Sequence, residues 1–120
     1  MGDGGFIAQI TDTQTGKVVG VSSAAWKCLV IHKAPTNPSC EKDANPEVTC
    51  QAEIAEEPAG WKDAGYDFSA WASATEYSEA AVGVKEGYLD ISWDPSAKLV
   101  WGSDLEEDNT LLCRYTIAAP

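Results

Sequence analysis

The feature that most constrains the fold of this chain is its set of four cysteines, Cys28, Cys40, Cys50 and Cys113. Structural zinc sites usually contain closely spaced cysteine pairs or added histidines. This sequence has no Cys-x-x-Cys pair and a single histidine, so two disulfides are the preferred interpretation. Because disulfides persist in oxidising compartments, we expect an extracellular or cell-surface protein. Four free thiols in a cytosolic protein are the alternative.

Among the possible pairings, the sequence favours Cys40 with Cys50 and Cys28 with Cys113. The segment CEKDANPEVTC is polar, and a short link between its ends would close a surface loop. Cys28 and Cys113 each lie in an apolar segment, so a bond between them would join two predicted strands. We therefore expect a fold stapled by these two disulfides.

Length and charge limit the remaining possibilities. The 120 residues allow one domain, 1–120, and the start lacks the features of a signal peptide, so we expect one unit or fragment of a longer secreted chain. With 19 acidic and 8 basic residues the net charge is −11, and no basic cluster is present to follow a phosphate backbone. No apolar run approaches the ~18 residues of a membrane span. Neither nucleic acid binding nor membrane insertion is expected.

The pattern of apolar residues predicts short strands and no long helix. FIAQIT and VVGV, separated by a turn at Thr15-Gly16, predict a β-hairpin. Further strands are predicted for AWKCLVIHKA, GYLDISW, AKLVWGS and TLLCRYTIA, while QAEIAEE fits a short strand or one helical turn. Pro35 to Thr49 is rich in proline, asparagine and charge, which is typical of a surface loop. Short strands at near-regular spacing predict an all-β fold, an antiparallel β-sandwich.

One segment, GWKDAGYDFSAWASATEY, resembles a stretch of galactose-binding-type jelly-roll domains. In such domains a Trp, a short spacer and a Phe-Asp-Asp-Ser-Ser-Trp-like turn precede a strand. The turn here reads Tyr66-Asp67-Phe68-Ser69-Ala70-Trp71. The flanking motifs GGFIAQI, WKC and AKLVWGSDLEEDNTLLCRYTI also resemble those of the family in their order. The resemblance extends from Gly4 to Ile117 and implies an extracellular β-sandwich of jelly-roll type.

This resemblance is partial in two respects. Phe68 stands where the second Asp of the turn is usual. The chain also begins after the upstream strands that such domains carry. We therefore expect an unpaired strand edge and an exposed apolar face where those strands would lie.

The aromatic turn itself is expected to be structural. Asp67 and Ser69 can bond to nearby backbone amides, while Tyr66, Phe68 and Trp71 bury aromatic area. The turn would thereby fasten its loop to the sheet and direct the strand that follows. Contact of Trp71 with a ligand is the alternative.

By resemblance, the chain is expected to be a non-catalytic binding or adhesion module with a glycan as the leading ligand. Sugars need aromatic faces for their C–H surfaces and amide or carboxylate partners for their hydroxyls. The candidate residues are Trp61, Asp63, Tyr66, Tyr88, Trp101, Asp104 and Asn109. For Trp26, Trp93 and Trp101, packing in the core is the competing interpretation. The alternative function is a structural module whose aromatic surfaces contact neighbouring extracellular domains.

The acidic run DLEEDN, residues 104–109, is the candidate metal site. Hard oxygens at this density suit calcium, and the candidate ligands are Asp104, Glu106 and Asp108. The spacing is not that of an EF-hand loop, so an ordinary solvated turn is the alternative.

The sequence contains no recognisable catalytic motif. It has no G-x-S-x-G segment and no glycine-rich phosphate loop. His32 lies in an apolar predicted strand with no nucleophile motif around it, so we expect a structural histidine. We predict that the protein is not an enzyme.

Overall fold

The computed structural model describes residues 4–118, and most of their regular structure is antiparallel strand. The strands are β1 (Gln9–Thr11), β2 (Val18–Val21), β3 (Lys27–Lys33), β4 (Glu53–Ile54), β5 (Ala72–Ser73), β6 (Thr75–Tyr77), β7 (Leu99–Trp101) and β8 (Asp108–Arg114). The helices are a 3-10 helix at Pro38–Lys42, α1 (Pro46–Thr49) and α2 (Glu79–Val82). In this part of the chain, no helix has the length and apolar character needed to cross a membrane. The prediction of a strand-rich antiparallel fold is confirmed.

β1 and β2 form the predicted hairpin. They pair antiparallel, with Ile10 opposite Gly20 and a shift of register at the next residue. The turn between them holds Gly16 at a φ of 71°, a left-handed conformation that favours glycine. The Asp12 carboxylate accepts a hydrogen bond from the backbone N–H of Gln14 at 2.8 Å and so shapes the turn.

β3 is the central strand of a four-stranded antiparallel sheet. β8 pairs with it along most of its length, with Cys28 opposite Cys113 and Leu29 opposite Leu112. β5 and β4 pair with the two ends of β3. Because β8 pairs with the same end residues of β3, β4 and β5 lie on the edge opposite β8.

The chain passes from this sheet to a second strand pair through Ala74. β5 ends just before Ala74, and β6 begins just after it and pairs with β7. On its other edge β7 forms a bridge in which Phe6 and Val100 exchange both backbone hydrogen bonds. β7 therefore connects β6 to the segment that leads into β1.

Ser22 is fully buried and ties three chain segments together. Its hydroxyl accepts a hydrogen bond from the Ala8 N–H at 2.8 Å and donates one to the Lys98 carbonyl at 2.7 Å. Its backbone N–H donates to the Ala8 carbonyl, and its carbonyl accepts from the Lys98 N–H. Since a buried hydroxyl is costly unless bonded, these contacts fix the hairpin against the segment before β7.

The hydrophobic core lies where the four-stranded sheet meets β7. Its buried members are Cys28, Ala74 and Val100, with the partly buried Trp26, Leu111 and Cys113 packed against them. The Cys28–Cys113 disulfide therefore belongs to the core itself and joins two paired strands, as predicted.

The Cys40–Cys50 disulfide closes the predicted surface loop. Asn37 fastens the ends of this loop: its Nδ2 donates to the Thr49 carbonyl at 2.9 Å, and its Oδ1 accepts from the Gln51 N–H at 2.7 Å. The loop contains the 3-10 helix and α1, and Cys40 is buried within it. Both predicted disulfide pairs are thus confirmed.

The segment GYLDISW, predicted as a strand, forms a series of turns instead. Gly87 has a φ of 91°, and the Ile91 N–H donates to the Tyr88 carbonyl. The indole N–H of Trp93 donates to the same Tyr88 carbonyl at 3.1 Å. The strand prediction is wrong because the alternating side chains of Leu89 and Ile91 are exposed to solvent and do not face a second layer.

The molecule has a large surface for its mass. Its accessible surface is 8002 Å², whereas a compact monomer of 12.8 kDa exposes about 6300 Å². Its radius of gyration is 16.7 Å, against about 14 Å for a compact domain of this length. Val48, Ile54 and Leu89 are each more than three-quarters exposed, at 77%, 76% and 79%. Much apolar area therefore remains in contact with solvent.

Loss of the two disulfides should lower stability unequally. Replacing Cys28 and Cys113 with alanine removes a link across 85 residues, whereas replacing Cys40 and Cys50 removes one across 10. From chain entropy, the free energy of unfolding should fall by about 4.5 kcal/mol for the first pair and about 2.7 kcal/mol for the second. Urea unfolding followed by circular dichroism measures both losses. A larger loss for the Cys40–Cys50 variant would contradict this ranking.

Candidate functional site

Trp71 is the centre of an aromatic cluster. Its ring centroid lies 6.4 Å from that of Trp61 and 5.7 Å from that of Tyr66, and both ring pairs are tilted. The Phe68 ring centroid lies 6.2 Å from that of Trp71, and this ring pair is also tilted. The Trp71 side chain is only 8% exposed. Since tilted aromatic pairs stabilise beyond the area they bury, the structure gives Trp71 the packing role predicted for it.

Local hydrogen bonds shape the turn that carries this cluster. The Asp67 carboxylate accepts from the Ser69 N–H at 3.0 Å, and the Trp71 N–H donates to the Phe68 carbonyl. The Ser69 side chain, followed by its backbone N–H, holds the pKa of Asp67 below its usual value. Asp67 is therefore an ionised acceptor at neutral pH, and it serves the turn.

Arg114, at the end of β8, attaches the aromatic cluster to the sheet. Its guanidinium carbon lies 4.8 Å from the Phe68 ring centroid and 5.7 Å from that of Tyr66. Its Nη1 donates to the Trp61 carbonyl and, at 2.8 Å, to the Asp63 carbonyl. Cation–π contact and hydrogen bonding thus act on the same loop. Three predicted ligand-binding residues, Trp61, Asp63 and Tyr66, are brought together by this one arginine.

Trp61 also borders an open groove of about 360 Å³, which we call the Trp26 groove. Its lining residues are Ile10, Trp26, Trp61, Lys62, Cys113, Arg114, Tyr115 and Ile117. The rings of Trp26 and Tyr115 stack with centroids 5.5 Å apart and planes within 3° of parallel. The groove lies at the end of the sheet where β3 begins and β8 ends, and stacked aromatic rings form part of its wall.

Among residues 4–118, the charged residues that line the Trp26 groove are Lys62 and Arg114, both cations. The Lys62 ammonium lies 5.5 Å from the Trp61 ring centroid. Among residues 4–118, the hydrogen bonds of Arg114 use Nη1, so Nη2 and Nε remain as donors. The described lining charges of the groove are therefore positive, on a chain of net charge −11.

The indole N–H groups in this groove are already used within the protein. Trp26 Nε1 donates to the Val21 carbonyl at 2.9 Å, and Trp61 Nε1 donates to the Glu57 carboxylate at 2.9 Å. These bonds fix both ring orientations. A ligand would therefore meet the ring faces and the two cationic side chains.

Tyr88, also predicted to bind ligand, lies in a different groove. Its ring stacks on that of Trp93 with centroids 5.9 Å apart, and its hydroxyl donates to the Glu79 carboxylate at 3.0 Å. Desolvation and, second, the bond to Glu79 raise the pKa of Tyr88. This groove shares no lining residue with the Trp26 groove. The structure therefore does not bring Tyr88 together with Trp61.

Trp101 and Asn109 lie at a third place. Trp101 Nε1 donates to the Asp108 carbonyl at 2.6 Å. Gly4 lies so close to the Trp101 ring that a Cβ at that position would be 2.5 Å from Nε1. These contacts give Trp101 the packing role that was the competing interpretation. Asn109 is exposed on β8.

The acidic run 104–109 uses its carboxylates within the turn. Asp104 Oδ1 accepts from the N–H groups of Glu107 at 2.9 Å and Glu106 at 2.8 Å, and these bonds, in that order, lower the pKa of Asp104. Asp108, which is buried, accepts from the Asp104 N–H at 3.1 Å. Across residues 4–118 no group of three or more His, Cys, Asp or Glu is arranged to hold a metal ion. The geometry supports a structural turn and gives the calcium hypothesis no support.

Sequence reasoning missed most residues of the Trp26 groove. Its aromatic pair, Trp26 and Tyr115, was not among the predicted ligand-binding residues. The signal was present in the cysteines: if Cys28 lies opposite Cys113 in an antiparallel pair, the residues two positions outward also lie opposite each other, on the same face. The stacking of Trp26 on Tyr115 follows from that register.

No protein-family model matches the sequence, and searches of curated proteins and of solved structures find no significant match. The likeness to galactose-binding-type domains accordingly stays an expectation from sequence motifs.

Replacing Trp71 with alanine should destabilise the protein by about 3–5 kcal/mol, because the ring is buried against three other aromatic rings. Urea unfolding measures the loss. Leu89→Ala is the control: its side chain is 79% exposed, so the change should be within about 0.5 kcal/mol. Wild-type stability in the Trp71 variant would show that the ring is not a packing element.

Calcium should raise the melting temperature no more than magnesium does. Because residues 4–118 hold no converging set of carboxylates, we expect each divalent ion only to screen the net charge of −11. Thermal unfolding at about 1 mM of either ion measures the two shifts, a concentration at which extracellular calcium modules are loaded. Asp104→Asn should leave the two shifts equal. A larger calcium shift that this substitution removes would instead establish a calcium site.

Proposed function

We propose that the protein is a non-catalytic extracellular binding module and that the Trp26 groove holds a glycan. The observation that carries the proposal is the combination of aromatic faces from Trp26, Trp61 and Tyr115 with polar donors in one open groove. Aromatic faces suit the C–H surfaces of sugars, and a few placed polar groups supply orientation. Because the indole rings are held by their own hydrogen bonds, little ordering is needed when a sugar binds.

The charge of the groove favours a sugar that carries a carboxylate or sulfate. Lys62 and Arg114 are its charged lining residues, and Arg114 retains donors suited to paired oxygen acceptors. A neutral sugar would use the rings but leave the two cations without partners from the ligand.

We infer further that the fold is a β-sandwich of the jelly-roll, galactose-binding-like type. Two observations support this: the four-stranded sheet and β7 share one core, and the sequence motifs occur in the order typical of that family. An extracellular location is supported by the two disulfides.

A structural module of an extracellular assembly is the second candidate. It is favoured by the large accessible surface of 8002 Å² and by the exposed side chains of Val48, Ile54 and Leu89. Contiguous exposed apolar surface is typical of sites that contact other proteins, and Ile54 lines one open groove together with Val30 and Ile31.

A glycan array probed with and without calcium tests the proposed function. We expect binding to acidic sugars, unchanged by calcium. Tyr115→Ala removes one stacked ring and should weaken binding about tenfold, whereas Tyr88→Ala, in the other groove, should leave it unchanged. Lys62→Gln should weaken binding of acidic sugars more than Lys85→Gln, since Lys85 does not line the groove.

The outcomes separate the two candidates. If neutral sugars bind and the Tyr115→Ala substitution weakens that binding, the proposed glycan site stands, but its proposed preference for charged sugars is wrong. A blank array, together with self-association in sedimentation runs, would overturn glycan binding and favour the structural module.

A further inference from the structure

The groove at Tyr88 has a chemistry opposite to that of the Trp26 groove. Its volume is about 320 Å³, and we call it the Tyr88 groove. Its lining residues are Tyr77, Ser78, Glu79, Tyr88, Trp93, Asp94, Pro95, Ala97, Lys98 and Leu99. The stacked rings of Tyr88 and Trp93 form one part of the wall, with planes 27° apart. Two carboxylates flank these rings.

In each carboxylate, one of the two oxygens accepts hydrogen bonds from the protein, and these bonds hold the group in place. Glu79 Oε1 accepts from the Tyr88 hydroxyl at 3.0 Å. Asp94 Oδ1 accepts from the N–H of Ser96 at 2.9 Å and from its hydroxyl at 2.5 Å. In the hydrogen bonds of residues 4–118, the second oxygen of each group is not used, so both remain as acceptors. The Ser96 hydroxyl, then its N–H, holds the pKa of Asp94 below its usual value, so this carboxylate is ionised at neutral pH.

The cation that lines this groove, Lys98, is hydrogen-bonded to a backbone carbonyl. Lys98 is exposed, and its ammonium donates to the Pro95 carbonyl at 3.1 Å. The hydroxyl of Tyr77 is also engaged, because it donates to the Gly102 carbonyl. Of the carboxylate oxygens that line the groove, Glu79 Oε2 and Asp94 Oδ2 remain as acceptors for a ligand, beside an aromatic pair.

We propose that the Tyr88 groove binds an arginine side chain of a partner protein. A guanidinium is planar, so it can stack on an aromatic face while its edge donates to carboxylate oxygens. It is less strongly hydrated than an ammonium and therefore suits a half-open aromatic groove better than lysine. Charge complementarity extends beyond the groove, since a chain of net charge −11 attracts a basic partner.

This site is independent of the glycan site. It shares no described lining residue with the Trp26 groove, and its two carboxylates outnumber its one ammonium, so the sum of its lining charges has the opposite sign. A protein could therefore engage the Tyr88 groove while a sugar occupies the other.

A peptide titration tests the proposal. The probe is acetyl-Gly-Arg-Gly-amide, and the control probe carries citrulline, which has the shape of arginine without its charge. Binding is followed by two-dimensional 15N NMR of the whole chain, with the indole N–H of Trp93 as the reporter. We expect a dissociation constant of millimolar order for the arginine peptide and binding about tenfold weaker for the citrulline peptide.

Two variants locate the binding. Glu79→Gln keeps an acceptor for the Tyr88 hydroxyl but removes the charge, and should weaken arginine binding about fivefold or more. Glu86→Gln is the matched control, because it removes one charge from an exposed position that does not line the groove. Trp93→Leu removes the stacking partner and should have an effect similar to that of Glu79→Gln. Should that variant fail to fold, Glu79→Gln still decides the result.

The proposal is overturned by any of three results: equal binding of the two peptides, equal losses for Glu79→Gln and Glu86→Gln, or arginine-induced shifts confined to signals outside the groove. Equal losses for Glu79→Gln and Glu86→Gln would mean that the arginine peptide is attracted only by the net charge of the chain. A sugar that shifts the Trp93 signal while the arginine peptide does not would assign the groove to glycans instead.

Discussion

The Cys28–Cys113 bond is the constraint on which the rest of the structure depends. It joins β3 and β8 where these strands also pair, and both sulfurs belong to the core cluster. Besides cysteines, the buried apolar residues within 4–118 are few: Trp71, Ala74, Leu99, Val100 and Leu112. Burial of so little apolar area stabilises the fold only modestly, so the entropy that the cross-link removes from the unfolded chain carries a large share of stability.

Because a covalent bond holds the core together, the large aromatic residues are not needed to fill its centre. Trp71 is buried, but in the cluster that Arg114 attaches to the sheet and not in the central core. Trp26 packs on the core and stacks on Tyr115 at the end of the sheet, and both rings line the Trp26 groove. The accessible surface is correspondingly large. Side chains that would fill the centre of a larger domain here remain partly exposed at a groove.

The sequence predicted those elements whose signals are local or covalent. The hairpin, β3, β7 and β8 have apolar patterns bounded by turn residues, and the disulfide pairs follow from loop composition and strand context. The strand predicted at GYLDISW is wrong because alternation of Leu89 and Ile91 does not show whether a second layer faces them. The grooves were hard to predict for the same reason. Which tryptophan faces are exposed depends on contacts between segments distant in sequence, such as Arg114 with the Trp61 loop.

Net charge alone is a poor guide to the ligands proposed for the two grooves. Beyond about 8 Å at physiological salt, a ligand meets a screened field set by the total of −11, which repels acidic sugars and attracts basic proteins. Inside a groove the nearest groups dominate. These are Lys62 and Arg114 in one groove, and the carboxylates of Glu79 and Asp94, which outnumber the single ammonium of Lys98, in the other. At the Tyr88 groove, the net charge of the chain and the nearby carboxylates both attract a cation. Salt should therefore lower both the rate at which a cationic ligand associates and the strength of its contact with the groove. At the Trp26 groove they oppose each other, because salt relieves the repulsion while it weakens the contact. Affinity there must depend mainly on the aromatic faces, which salt screening does not affect.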